Sequence, residues 1–231
     1  MAELIVALDV SSTAEVKQVV EMLGDSVSFY KIGLELFSAE GPDVVRAVTA
    51  RNKRVFLDLK LHDIPRTVER AVKSGALLGV DLMTIHSVGG RAMIRAAKEA
   101  ALSAGSKVPK ILAVTVLTSL DQNDLTDLGV SRAMKAQVEA MGKLACEYGA
   151  DGIVCSPKEV ANMRAVLGPQ ALLVTPGVRP AGADVGDQKR VATPAQAVKD
   201  GSTHLVVGRP ILEAADPRAA ALAIALEMKT V

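Results

Sequence analysis

Hydrophobic positions along the chain follow two patterns in turn, short β-branched runs and longer alanine-rich stretches of helical period. This repetition is typical of βα units that build a parallel sheet. The short runs predict eight strands, at Leu4–Asp9, Ser28–Gly33, Arg54–Lys60, Leu82–Ser87, Ile111–Leu117, Gly152–Ser156, Leu172–Gly177 and His204–Gly208. A helical stretch follows each strand, and the last of them extends over Pro217–Lys229.

Eight βα units with right-handed crossovers fit either a closed barrel or a large doubly wound sheet. The even spacing of the strands and the length of 231 residues favour the α/β class with a single (β/α)8 TIM barrel. Hydrophobic residues make up 49% of the chain and aromatic residues only 2%, which suits the aliphatic layers inside a parallel barrel. No linker or low-complexity tract divides the sequence, so we expect one domain over residues 1–231.

Two of the predicted βα connections are long, Thr118–Val130 and Val178–Thr193. Long loops at the C-terminal rim of a barrel commonly act as lids or ligand clamps. A plain surface loop remains the alternative for each of them.

The charge balance narrows the classes of partner. Lys and Arg (27) nearly cancel Asp and Glu (26), and few aromatic side chains are available to stack on bases, so we expect no nucleic-acid binding. No apolar stretch is long enough to span a bilayer, and no basic segment precedes the first strand, so we expect neither membrane insertion nor export. Cys146 and Cys155 form no disulfide or metal-ligand pattern, which favours a reducing cytoplasm.

The third strand carries charged residues where a barrel would hold its chemistry. Residues 55–60 read VFLDLK, and alternation sends the odd-numbered positions toward the helices and the even-numbered positions into the barrel. Asp58 and Lys60 therefore point inward at the C-terminal end of a strand, where barrel enzymes place reacting groups. A structural ion pair is the alternative for these two residues. Asp63 follows the strand, and taken alone it could be the N-cap of a helix that starts near Pro65.

The segment DLKLHDIPRTV at residues 58–68 contains the pattern D-x-K-x-x-D, which begins at the C-terminal end of the third predicted strand. This pattern resembles the signature of the orotidine 5′-monophosphate decarboxylase suprafamily. Further segments occur in the order that the resemblance implies, namely ALDV, FYKIG, TVLTS, TPGVRP, GDQKRVATP and VVGRPI. The resemblance covers almost the whole chain and implies the same barrel fold.

The resemblance also implies the roles of individual residues. It implies a catalytic network of Lys31, Asp58, Lys60 and Asp63, with no metal and no cofactor. It implies that Asp9 and Lys31 bind ribose hydroxyls and that Thr118 meets the pyrimidine edge. The other implied substrate contacts are Thr67 to ribose or phosphate, Gln188, Gly208 and Arg209 to phosphate, and Pro176 and Arg179 in the clamp loop.

A homodimer with shared active sites is a further implication of the resemblance, with Asp63 reaching into the partner's barrel. In this scheme Lys60 stabilises a carbanion at C6 of orotidine 5′-monophosphate and then protonates it. One position departs from the pattern, because Arg66 stands where many bacterial relatives would have Asn.

Other functions stay open on the sequence alone. A Mg²⁺-dependent phosphosugar decarboxylase or aldolase of the same suprafamily shares D-x-K-x-x-D, but such relatives place a glutamate ligand where this chain has Lys31. Without that pattern, the segment VGRP could be a simple strand-ending turn. A non-catalytic phosphate-binding barrel is the alternative from a different class. Of the three histidines, His86 at the end of the fourth strand is either a support for the site or a core residue.

Overall fold

The computed structural model describes residues 2–105, 107–180 and 192–230. Within these ranges the chain forms parallel strands that lie close to the predicted bounds. The strands are β1 (Glu3–Ala7), β2 (Phe29–Gly33), β3 (Arg54–Leu61), β4 (Leu82–His86), β5 (Lys110–Val114), β6 (Gly152–Val154), β7 (Leu172–Thr175) and β8 (His204–Val207).

Helices connect consecutive strands and follow the last one. The α-helices of the described residues are α1 (Thr13–Leu23), α2 (Leu34–Glu40), α3 (Asp43–Thr49), α4 (Pro65–Ala76), α5 (Gly90–Ser103), α6 (Gln122–Asp127), α7 (Met134–Glu147), α8 (Val160–Leu167), α9 (Pro194–Lys199), α10 (Arg209–Leu212) and α11 (Pro217–Glu227). Short 3₁₀ helices occur at Gly24–Ser26, Ser87–Gly89 and Pro157–Glu159.

The strands close into one barrel. Each strand pairs in parallel with the next, and β8 returns to pair with β1 over Glu3–Val6. The prediction of a (β/α)8 barrel is therefore confirmed, and the doubly wound alternative is wrong because the two edge strands pair with each other.

Both long connections have local structure. The first contains α6, whose N-terminus is capped by the Asp121 carboxylate through the N–H groups of Asn123 and Asp124. The second follows β7, and its first and last described residues pair with each other. The Arg179 N–H donates to the Ala192 carbonyl at 3.0 Å. Residues 181–191 of this connection, including the predicted phosphate ligand Gln188, lie outside the described residues.

Alternation along the strands divides the apolar side chains into an inner and an outer core. The inner cluster fills the barrel with Ile5, Ala7, Phe29, Phe56, Leu82, Leu112, Val174 and Val206. Val55 and Leu57 belong to the outer cluster, which packs the helices onto the barrel wall. The prediction that Phe56 faces inward and its two neighbours face outward is therefore confirmed.

Polar side chains close the N-terminal end of the barrel. His204 is buried, with its ring edge against Phe29 and its Nδ1 atom 2.9 Å from the Thr203 hydroxyl. The Arg54 guanidinium lies over the Phe29 ring, 4.1 Å from its centroid, and forms ion pairs with Glu3 and Asp81. These contacts give His204 a structural role far from the C-terminal rim, where barrel enzymes hold their active sites.

We expect His204 to make stability depend on pH. Burial lowers the pKa of His204 below 6.5, while Glu3 raises that pKa and Arg54 lowers it further. The unfolded chain therefore binds more protons below pH 6.5, so the free energy of unfolding should fall as the pH drops from 6.5. Urea denaturation at a series of pH values measures this free energy. It should decrease less with falling pH for His204→Gln than for the unmodified protein, because the amide of glutamine does not titrate. Equal slopes for the two proteins would contradict this role.

Candidate active site

The C-terminal end of β3 has an irregular backbone at the charged residues. Leu57 pairs with Met83 and Leu61 with Ile85, so four residue steps of β3 lie opposite two steps of β4. Lys60, inside this irregularity, adopts a left-handed conformation with φ of 51°. Non-glycine residues rarely adopt this conformation, and it often marks functional sites.

Asp58 is the buried carboxylate of this site. Asp58 is 9% exposed, and each of its two carboxylate oxygens accepts a hydrogen bond from a different residue. The Lys60 ammonium donates to Oδ2 at 2.9 Å, and the Thr84 hydroxyl donates to Oδ1 at 2.9 Å. A buried charge is tolerated when it is paired and hydrogen-bonded in this way. The ion pair predicted from the sequence therefore exists, and its Lys60 end stays partly open, with 38% of the side chain exposed.

A second ion pair joins β2 to the residues after β1. The Lys31 ammonium lies 3.3 Å from Oδ1 of Asp9. Two glycines leave room for this pair. A Cβ on Gly33 would lie 2.9 Å from the Lys31 ammonium, and a Cβ on Gly208 would lie 2.8 Å from Oδ2 of Asp9.

A cavity of about 200 Å³ lies beside Lys31 and Asp9 at the C-terminal rim. It is lined by residues that follow β1, β7 and β8 as well as by β2. Six residues that the sequence analysis selected for substrate binding meet here, namely Asp9, Lys31, Pro176, Arg179, Gly208 and Arg209. Two cationic side chains, Arg179 and Arg209, give the cavity the charge that an anionic group requires.

Asp63 and Thr67 do not line this cavity. Both are exposed, and the only polar contact of the Asp63 side chain among the described residues is the N–H of Ile64, at 2.7 Å. The N-cap of α4 is Ile64 and not Asp63, so the alternative of Asp63 as a helix cap is wrong. Pro65 does occupy the first turn, as expected.

The other predicted positions near the rim have different exposure. Thr118 is half-buried after β5, within the connection that contains α6. Arg66, the departure from the family pattern, is exposed on the first turn of α4.

Two histidines lie next to the Lys60 side of the site. The rings of His62 and His86 are 5.8 Å apart between centroids. Burial lowers the pKa of His86, and the neighbouring His62 and Lys60 lower it further, which favours the neutral imidazole. Its Nδ1 atom is buried and has no hydrogen-bond partner among the described residues, so His86 is not a satisfied core histidine.

Thr84 was not selected from the sequence, although it touches Asp58 and Lys60 directly. The Lys60 N–H donates to its hydroxyl at 2.8 Å. Alternation along β4 could have indicated its direction. Leu82 belongs to the inner cluster, and Thr84, two residues farther along the same strand, shares its inward face. A threonine at an inward position beside Asp58 and Lys60 could have been predicted to contact them.

The described part of the chain brings together no three His, Cys, Asp or Glu side chains that could hold a metal ion. Among the described helices, none combines the length and apolar character needed to cross a bilayer.

Comparison with known proteins gives matches over nearly the full length. Residues 2–224 match the model of the orotidine 5′-phosphate decarboxylase / HUMPS family. The chain is 52% identical to the orotidine 5′-phosphate decarboxylase of Rhodopseudomonas palustris (strain HaA2), over 97% of this chain and 94% of that protein. It is 48% identical to that of Moorella thermoacetica, over 99% and 93%. The crystal structure of orotidine 5′-phosphate decarboxylase from Lactobacillus acidophilus has a TM-score of 0.91 at 40% identity, covering both chains completely.

Proposed function

Because this chain belongs to the orotidine 5′-phosphate decarboxylase / HUMPS family, we propose that it converts orotidine 5′-monophosphate to uridine 5′-monophosphate and CO2 in pyrimidine biosynthesis. The observation that carries the proposal is the Lys60 ammonium, held 2.9 Å from the buried Asp58 carboxylate at the C-terminal end of β3. This arrangement offers a fixed positive charge that is also a proton donor.

The reaction requires such a group. When the bond between C6 and the carboxylate breaks, the electron pair stays on C6 in the plane of the ring, so the π system cannot delocalise it. Lys60 stabilises this carbanion by its charge as CO2 leaves and then transfers a proton from its ammonium to C6, where the proton forms a bond with the electron pair left on the ring. The net change is the replacement of a carboxylate by hydrogen.

Asp58 orients the ammonium before the substrate arrives. Its two hydrogen bonds fix the carboxylate, and the carboxylate fixes the Lys60 amine, so little reorganisation is needed when charge develops. Asp58 also lies near the place of the substrate carboxylate in this scheme and repels it. We treat that repulsion as secondary to the orientation of Lys60.

The cavity beside Lys31 binds the ribose 5′-phosphate part of the substrate. Asp9 and Lys31 contact the ribose hydroxyls, and Gly208 and Arg209 hold the phosphate together with Gln188. Pro176 and Arg179 belong to the loop that closes over the nucleotide, and Thr118 meets the pyrimidine edge. Support for this assignment comes from the shared cavity of six of these residues and from the loops after β7 and β8, the usual phosphate site of this fold.

The enzyme is a homodimer with shared active sites, in which Asp63 acts in the partner's barrel, and Thr67 contacts ribose or phosphate. Support comes from the exposure of both residues and from the lack of an ion-pair partner for Asp63 among the described residues. Ile64, next to Asp63, is 66% exposed, which favours an apolar contact with another subunit. An isologous interface would place each Asp63 at the opposite site.

The alternatives are less favoured. A Mg²⁺-dependent phosphosugar enzyme would need an acidic ligand at position 31, where this chain has an ammonium paired with Asp9. A non-catalytic phosphate-binding barrel would not require the Asp58–Lys60 pair, whose Asp58 carboxylate is costly to bury. Relatives of about 50% identity carry the decarboxylase name, which favours the nucleotide reaction over both alternatives.

We place the enzyme in the cytoplasm. Cys146 and Cys155 are not joined in a disulfide, and Cys155 is buried. Burial and, to a smaller extent, the nearby Asp151 carboxylate raise the pKa of Cys146 to about 11, so this thiol is poorly reactive. Neither cysteine is prepared for disulfide formation, which suits a reducing compartment.

We expect activity to persist in excess chelator, because Lys60 supplies the positive charge that a metal would supply in the phosphosugar enzymes. The loss of ultraviolet absorption by orotidine 5′-monophosphate, followed with and without chelator, measures this directly. Equal rates support the proposal. Activity that disappears in chelator and returns with Mg²⁺ would exclude the metal-free mechanism, and a flat trace with folded protein would favour the phosphate-binding barrel.

A further inference from the structure

A closed ring of hydrogen bonds connects the end of β3 to Thr84 on β4. The Lys60 N–H donates to the Thr84 hydroxyl, that hydroxyl donates to Oδ1 of Asp58, and the Lys60 ammonium donates to Oδ2 of Asp58. The backbone N–H can only donate and the carboxylate can only accept, so the hydroxyl must do both. Its proton therefore has one orientation, toward Asp58.

The same hydroxyl supports an unusual backbone. Lys60 has a φ of 51° and lies where the register between β3 and β4 is broken. Its N–H would ordinarily donate to a carbonyl of the neighbouring strand, and here the Thr84 side chain accepts it instead. A left-handed conformation at a residue with a Cβ persists only when its surroundings hold it. The Thr84 hydroxyl is one of the contacts that does so.

We propose that Thr84 is a positioning residue for the decarboxylation, because its hydroxyl aims the Lys60 ammonium by holding both the Lys60 backbone and the Asp58 carboxylate. Thr84 is 1% exposed, so it acts through these two residues and not by touching the substrate. The inference rests on the proposed role of Lys60. It adds a residue of β4, a strand from which the sequence analysis selected no catalytic or substrate-binding residue.

The test compares two substitutions at position 84 with a matched control at position 203. Thr84→Val keeps the shape and removes the hydroxyl, whereas Thr84→Ser keeps the hydroxyl and removes the methyl. Thr203 offers the control, because its hydroxyl also accepts a backbone N–H from a neighbouring strand, that of Leu173, at 2.9 Å. It lies at the N-terminal end of β8, away from the site.

We expect Thr84→Val to lower kcat roughly 100-fold, because misplacing the reacting group by a fraction of an ångström is costly. Its dissociation constant for uridine 5′-monophosphate should change less than about threefold, because Thr84 does not contact the ligand. Thr84→Ser and Thr203→Val should both keep kcat within about threefold of the unmodified enzyme, whatever their melting temperatures.

Three results would overturn the inference while the unmodified enzyme remains active. The first is a Thr84→Val enzyme with the kcat of the unmodified enzyme. The second is a Thr84→Ser enzyme whose kcat is as low as that of Thr84→Val. The third is a fall in the kcat of Thr84→Val that is matched by an equal loss of affinity for uridine 5′-monophosphate. A double variant adds an independent check, since Lys60→Ala/Thr84→Val should be no slower than Lys60→Ala if Thr84 acts through Lys60. An unmodified protein without activity would instead contradict the proposed function itself.

Discussion

Replacing Lys60 with alanine is expected to lower kcat by roughly ten-thousandfold, because the change removes the proton donor and the fixed positive charge together. Alanine also leaves Asp58 with an unpaired charge near the place of the substrate carboxylate, which adds to the loss. Steady-state kinetics with orotidine 5′-monophosphate gives kcat and KM separately. The effect should appear mainly in kcat, since Lys60 acts where charge develops in the transition state.

Two control variants make this result specific. Lys98→Ala removes a lysine in a comparable ion pair, 2.7 Å from Asp151, on the outer side of the barrel, and it should leave kcat near the unmodified value. Arg209→Ala should raise KM by about 100-fold, because it would remove the proposed charged contact to the phosphate, with a smaller effect on kcat from impaired loop closure. If Lys60→Ala and Arg209→Ala both changed only KM, Lys60 would not be the proton donor.

Mixing two inactive variants is expected to restore activity. Lys60→Ala and Asp63→Ala should each be nearly inactive as homodimers, because every site lacks one essential residue. If Asp63 serves the partner's barrel, each mixed dimer has one site with both lesions and one site with neither. Random pairing then gives mixed dimers in half of the population, so activity should rise to about a quarter of the unmodified enzyme.

The chain offers a matched negative control for this mixing experiment. Asp58 and Lys60 contact each other at 2.9 Å within one barrel, so Lys60→Ala mixed with Asp58→Ala leaves one lesion in every site of a mixed dimer. This pair should recover nothing. Subunit exchange is verified separately by mass spectrometry. Exchange without recovery for Lys60→Ala and Asp63→Ala would refute the shared site and leave the decarboxylase function standing.

The sequence was sufficient for the positions of the strands and for the direction of the side chains on β3. Buried parallel strands are short and apolar, and alternation determines which residues face inward, so the inward direction of Phe56 and Asp58 follows from the sequence. The resemblance then supplied residues from distant parts of the chain. Six of them line one cavity because the C-terminal ends of parallel strands meet at the same rim.

The local geometry of the site could not be predicted in the same way. The left-handed backbone of Lys60 and its hydrogen bond to Thr84 depend on how β3 pairs with β4, and the register is a property of two strands together. The ion-pair partner of Lys31 was equally hard to predict. Lys31 pairs with Asp9, which follows β1, and not with a residue of β3. The helix α6 was missed because its few residues have no clear apolar period, although Asp121 caps it.

The central claim, that Lys60 protonates C6 as CO2 departs, is tested most directly by analysing the products formed in D2O with chelator present. The ammonium of Lys60 exchanges with solvent, so the account predicts uridine 5′-monophosphate with one deuterium at C6 and an equal amount of CO2. The same incubation with Lys60→Ala should give almost no product. Formation of deuterated product by Lys60→Ala at the rate of the unmodified enzyme, release of orotate without CO2, or unchanged substrate in the presence of folded unmodified enzyme would contradict the account.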